Sequence, residues 1–163
     1  MTNQVAIESA TEAIMESIYE HLINAWNEAN AEAFSELFSE NGSMVGFDGS
    51  IANGRANICD HLSSIFANYR PGKFVAIIKE ITVWSSNAGI LRAVAGIVLP
   101  GRRKVNRGTN AIQSMVVANE AGHFRIALFQ NTPAAFHGRP DLAEQLTTEL
   151  QQQMERTNQE TRH

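Results

Sequence analysis

The stretch from Lys73 to Pro133 constrains the fold most. It holds four runs rich in Val and Ile, Lys73 to Trp84, Gly89 to Leu99, Gly108 to Ala118 and His123 to Gln130. The links between them are short: Ser85-Ser86-Asn87, Pro100-Gly101 and Asn119-Glu120-Ala121-Gly122. Links of that length join neighbouring strands in opposite directions, so the runs predict an antiparallel meander. Both faces are apolar, because Leu91, Ala93, Ala95 and Ile97 alternate with Ile90, Val94 and Val98. A one-domain antiparallel sheet ordinarily leaves one face to water. Helices can cover one face, and the other then predicts a homodimer through the sheet.

The helices precede and follow this stretch. From Ile7 the apolar residues Ile7, Ala10, Ile14, Ile18, Leu22, Ala25 and Trp26 keep a helical period, while Glu8, Glu12, Glu16 and Glu20 form a solvated stripe. Asn30 is placed to cap a second helix with the apolar face Ala33, Phe34, Leu37 and Phe38, ended by Asn41-Gly42. Ser43 to Phe47 reads as a short strand, Asp48-Gly49 as a turn, and Gly54-Arg55 as the start of a third helix carrying Ile58, Leu62, Ile65 and Phe66. Arg70-Pro71-Gly72 stops it. A last helix starts at Asp141, with Asp141 and Glu144 at capping-box spacing and the stripe Leu142, Leu146, Leu150 and Met154. That stripe suits packing on its own domain or a dimer mate, and Glu155 to His163, without an apolar residue, should fray. The expected division is a domain over residues 1–140 and a helical tail over 141–163.

Length and composition bound the function. The 163 residues suit one core, and 44 % hydrophobic with 18 % charged residues excludes a disordered or low-complexity chain. A net charge of −4 argues against nucleic acid or an anionic membrane as the main partner and favours a small molecule. The single cysteine, Cys59, cannot form an intramolecular disulfide, and the first residues lack a charged segment followed by an apolar one. The expectation is a reduced, cytoplasmic protein.

The common nucleotide and hydrolase signatures are absent, and Gly42-Ser43-Met44-Val45-Gly46 has the wrong spacing for a nucleophile elbow. His21, His61, His123, His137 and His163 are scattered, so no metal site and no cofactor is implied. The run Arg102, Arg103, Lys104, Arg107 reads most simply as a solvated hairpin tip. Setting aside the carboxylates of the helical stripes, turn and tail leaves Asp48, Asp60 and Glu80, and Glu80 shares a strand face with Ile78 and Thr82. Asp48, beside Phe47 where helices meet the sheet, is the best candidate for a catalytic base; its other reading is a turn-forming Asp before Gly49. Polar residues inside strand runs need partners: Arg92, Gln113, Gln130 and Asn131 either satisfy one another or line a cavity. Trp26, Phe38, Phe47 and Phe66 would wall it.

The element order resembles the nuclear-transport-factor-2-like cone, the superfamily of ketosteroid isomerase and SnoaL-like polyketide cyclases. Trp26-Asn27 with Phe34 and Phe38, Gly54-Arg55, Leu91-Arg92-Ala93-Val94, Ile112-Gln113-Ser114, Phe129-Gln130-Asn131-Thr132-Pro133 and Phe136-His137-Gly138-Arg139-Pro140 look like the SgcJ/EcaC-type branch found in enediyne biosynthetic clusters. The resemblance implies an α+β fold: a curved antiparallel sheet with N-terminal helices across its concave face, plus a C-terminal helix. By position Asp48 matches the catalytic base of ketosteroid isomerase. The tyrosine of that enzyme's first helix falls near Leu22 and its strand acid near Gln113-Ser114, so its oxyanion partners do not carry over and steroid isomerisation is not implied.

Three functions remain open. In the first, a cofactor-independent isomerase, cyclase or hydrolase of secondary metabolism uses Asp48 as base and Gln113 or Asn131 as oxyanion donor. Trp26, Phe38, Phe47, Phe66, Arg92, Gln130 and His137 would then contact a hydrophobic or polycyclic substrate. In the second, the same pocket holds such a molecule without converting it. In the third, the interior is filled and the chain is an accessory subunit.

Overall fold

A computed structural model of the chain describes residues 2–162. The elements in order are α1 (Thr2–Asn27), α2 (Ala31–Glu36), β1 (Phe38–Val45), β2 (Ile51–Asn53), α3 (Arg55–Asn68), β3 (Lys73–Ser85), β4 (Ala88–Val98), β5 (Val105–Glu120), β6 (His123–Pro133) and α4 (Pro140–Thr161). The six strands form one curved, unclosed sheet in the order β2-β1-β6-β5-β4-β3. The expected meander is β3 to β6, antiparallel throughout. β1 joins it parallel to β6, and β2 closes a hairpin on β1.

Boundaries at both ends of the chain differ from expectation. Phe38, expected on the apolar face of the second helix, opens β1. Asn30 does cap α2, its Oδ1 accepting from the Ala33 amide at 3.0 Å, but Leu37 already closes the helix. The Ile126 amide donates to the Leu37 carbonyl at 2.9 Å, so the chain there is claimed by β6. Gly42 permits the pairing, because a Cβ there would stand 2.7 Å from the Ile126 carbonyl oxygen. At the other end, α4 begins on Pro140 with Arg139 at its N-cap and no side-chain cap, so Asp141 and Glu144 form no capping box. The helix runs to Thr161 rather than fraying from Glu155; His163 lies outside the described residues.

The main core fills the concave side. Met15, Tyr19 and Leu22 of α1, Phe34 of α2 and Ile58 and Leu62 of α3 meet Leu91, Ala93, Met115, Val117, Ile126 and Phe129 of the sheet. Full burial of a Leu or Met side chain contributes roughly 1.5–3 kcal/mol, so this layer dominates the stability. α4 covers part of the outer face. Its Leu146 and Leu150 pack with Val105, Val75, Ile77, Val94 and Val98. Gly96 lets the helix approach: a Cβ there would meet Leu150 at 2.9 Å and Val105 at 2.7 Å. The second apolar face of the sheet is therefore served in part by the chain's own last helix. Beyond it, Trp84 and Ile51 remain exposed and Ile90, Val116 and Leu128 half-buried.

Candidate functional site

The centre of the site is a line of three polar side chains inside the concave core. α1 places Tyr19 on the same inward stripe as Met15 and Leu22, and leaves it 2 % exposed. Its hydroxyl donates to Gln113 Oε1 at 2.5 Å. Gln113 is fully buried on β5, and its Nε2 donates to Asn131 Oδ1 at 3.4 Å across the β5–β6 pair, where the two residues are register partners. Asn131 is half-buried, so the line runs from the centre of the core toward the open end of β6. Buried hydroxyl and carboxamide groups are costly unless hydrogen-bonded, and here each finds a partner. Burial pushes the Tyr19 phenol well above its usual range. It is a hydrogen-bond donor at ordinary pH, not a base.

The Phe47–Asp48 turn stands at the same end of the sheet. Val45, the last residue of β1, pairs with Gln130, next to Asn131. Asp48 itself is exposed, and its Oδ1 accepts from the Ser50 amide at 2.9 Å, closing an Asx turn. The Ser50 amide and hydroxyl hold this carboxyl below its usual value. The turn-forming reading of Asp48 thus accounts for its contacts, and a depressed carboxylate is a weaker base than an ordinary one.

The other expected polar residues do not gather with these. Arg92 is exposed on the outer face and paired with Glu80, itself exposed. The reason is a bulge: between Ile78 and Glu80 the β3–β4 register shifts, so Ile78 packs on the concave core while Glu80 turns outward. Gln130 is exposed beside inward-facing Phe129 and Asn131, and His137 is exposed in the loop before α4. Three of the four expected wall aromatics are connected, because Phe34 stands between Trp26, at 6.5 Å between ring centroids, and Phe38. Phe38 is fully buried and stacks on Phe34 with 5.7 Å between centroids. Trp26 and Phe66 meet edge-on at 5.3 Å, together with Phe74 at 4.9 Å from Trp26, at the C-terminal end of α1. Phe47 is half-buried in the turn. Arg55 donates from Nε to the Phe38 carbonyl at 2.9 Å, a structural role.

Tyr19 is the residue that sequence reasoning passed over. The tyrosine of the resembling isomerase was aligned near Leu22, yet Tyr19, three residues earlier on the same stripe, occupies the core and reaches Gln113. Its spacing to Met15 and Leu22 would have placed it inward. Among the described residues the buried polar side chains are Thr11, Ser35, Ser39, Asn110 and Gln113, with no buried carboxylate or imidazole. No three of His, Cys, Asp and Glu among them converge to hold a metal ion. The interior can therefore donate and accept hydrogen bonds to a neutral oxygen, and no ionisable base faces it. No helix among the described residues is long and apolar enough to cross a membrane.

Comparison with known proteins agrees with the fold. Residues 15–131 match the SnoaL-like domain. A domain of unknown function with a cystatin-like fold from Nostoc punctiforme superposes with a TM-score of 0.75 at 20 % identity, over 94 % of this chain and 97 % of that one. A ketosteroid isomerase-like protein from Erwinia carotovora atroseptica gives 0.61 at 17 % identity, over 76 % and 95 %. A scytalone dehydratase candidate from Novosphingobium aromaticivorans gives 0.65 at 16 % identity, over 82 % and 89 %. No curated protein matches the sequence.

Proposed function

The chain belongs to the SnoaL-like domain family, and from that premise we propose that it binds a small, largely apolar molecule at the Asn131 end of the cone. A carbonyl or hydroxyl oxygen of the ligand would be oriented by the line from Tyr19 through Gln113 to Asn131. The observation that carries this reading is the 2.5 Å hydrogen bond between Tyr19 and Gln113 in an otherwise apolar core. Three apolar residues would fill that space without needing partners, so the retained polar line points to recognition. Organic extraction of the purified protein, followed by mass spectrometry of the extract, tests it. One oxygen-bearing apolar compound at near one equivalent per chain is expected; an extract with no such compound overturns the reading.

A second reading is catalytic: a cofactor-independent isomerisation, cyclisation or hydrolysis in secondary metabolism with Asp48 as base. The Phe47–Asp48 turn beside the end of β6 favours it. It requires Asp48 to leave the Ser50 amide and reach the ligand. Asp48→Asn would then abolish turnover of the extracted compound while retaining binding, and equal turnover by that variant removes the assignment.

The same proposal includes a homodimer. The part of the outer face beyond α4, with Trp84, Ile90, Val116 and Leu128, supports a second copy seated there. Sedimentation of the wild type as a dimer and of Trp84→Glu as a monomer is the expected pair of results.

A further inference from the structure

A further concavity lies at the edge of the sheet. It is a groove of about 1570 Å³ along the free edge of β3, between α1 and the last turns of α4. Its floor is apolar, with Ile23 of α1 and Ala76 and Ile78 of β3. Tyr69 and Leu99, 68 % and 39 % exposed, stand open along it.

One end is cationic. Arg70, Lys73, Arg102, Arg103 and Arg162 line it against the carboxylates of Glu28 and Glu155, in a chain whose net charge is −4. Among the described residues the ion pairs are Lys79 with Glu149 and Arg92 with Glu80, and none of these five cations is in one. The backbone beneath them is anchored. Trp26 Nε1 donates to the Gly72 carbonyl at 3.2 Å, and the Asn27 carboxamide both donates to and accepts from the backbone of Phe74, at 3.1 and 2.7 Å. Gln151 accepts from the Val105 amide at 2.9 Å and donates to the Arg103 carbonyl at 3.4 Å. Lys73 pairs with Val98, which brings the start of β3 beside the Leu99–Arg103 loop. The basic run that reads as a solvated hairpin tip is thus tied down at the end of an apolar groove. α1 runs so that Asn27 lies at Phe74, which puts Glu20 and Glu16, two and three turns earlier, toward the opposite end. An anion is favoured at one end and repelled at the other.

We propose that this groove binds a free single-chain amphiphile with a carboxylate head, such as a fatty acid. The head would sit among Arg70, Lys73, Arg102 and Arg103, and the chain would lie over Ile23, Ala76 and Ile78. Charge complementarity sets the head group and its direction, and the apolar floor sets the tail. Of the Tyr19–Gln113–Asn131 line only Tyr19 also borders this groove, and the proposal rests on the basic end and the apolar floor, not on that line.

Decanoate, decanol and phosphatidylglycerol vesicles serve as probes, read by backbone amide NMR shifts and calorimetry. Decanoate is expected to saturate at one equivalent and to shift the amides of Gly72–Ile78 and Gly101–Arg103. Decanol should bind at least tenfold more weakly. The exposed pair Arg102→Glu/Arg103→Glu, whose folding the unchanged amide spectrum elsewhere would verify, should lose at least tenfold for decanoate while leaving retention of the compound extracted from the cone unaltered. Equal binding of decanol, an unaffected variant, or shifts confined to the Asn131 end would each overturn the proposal. Sedimentation with vesicles that decanoate fails to compete away would overturn it in favour of a membrane surface.

Discussion

Tyr19 and Gln113, ninety-four positions apart in sequence, share a 2.5 Å hydrogen bond in the middle of the apolar core. The bond joins the first helix to the central region of the sheet, and each partner depends on the other for its only strong contact there. Removing one leaves a buried polar atom without a partner. Tyr19→Phe and Gln113→Leu should therefore each destabilise the fold by about 1–3 kcal/mol in urea unfolding. The double variant should cost less than the sum of the two singles, a positive coupling that a double-mutant cycle reads directly. Strict additivity would mean that the bond contributes nothing.

The Tyr19 phenol also links stability to alkaline pH. Burial raises its pKa in the folded chain above its ordinary value near 10. Below that value both folded and unfolded states keep the proton, so its contribution is present in full. As pH rises above about 10 the unfolded state ionises first, and stability falls by up to about 1.4 kcal/mol per pH unit. Tyr19→Phe should lack this component of the decline. In a Tyr69→Phe background, where Tyr19 is the only tyrosine, phenolate absorbance should appear only with unfolding.

Asn27 acts as a short strand for the free edge of β3. Its carboxamide takes both the amide and the carbonyl of Phe74. Asn27→Leu should cost about 1 kcal/mol or somewhat more, since water can reach this edge and replace part of the loss. Hydrogen exchange at the Phe74 amide should accelerate, and an unchanged rate would show that the cap is idle.

Leu150 is the main anchor of α4 on the outer face. Leu150→Ala should destabilise by about 2–5 kcal/mol if α4 belongs to the cooperative unit. A much smaller cost, with the loss confined to helical signal from α4, would mark the helix as a separately melting tail.

Where the sequence was informative, its signal was periodicity. The Asn30 cap and the short links between β3, β4, β5 and β6 are local patterns, and they place most of the fold; the expected α1 stripe holds at Leu22 and Ala25, whereas Ile7, Ala10 and Ile14 are exposed and Thr11, Met15 and Tyr19 face the core in their place. Pairing across the chain is not local. β1 is drawn out of a helical pattern by its parallel partner β6, and the side on which Glu80 points is decided by a one-residue bulge that composition does not announce. The candidate site divides the same way. Gln113 and Asn131 stand out as polar residues inside strand runs, and they do meet. Arg92 and Gln130 carry the same signal but fall on the outer face, because alternation along one strand cannot say which face is concave. Tyr19 escaped notice because a tyrosine on an apolar stripe looks like any other core residue until its hydroxyl finds Gln113.

Native mass spectrometry of wild type and Gln113→Leu, purified side by side from the producing cells, decides whether the Tyr19–Gln113–Asn131 line recognises a ligand. Wild type carrying one small molecule per chain, and Gln113→Leu folded but empty, is the predicted result. Equal retention by both proteins, or a wild type that carries nothing, would contradict it.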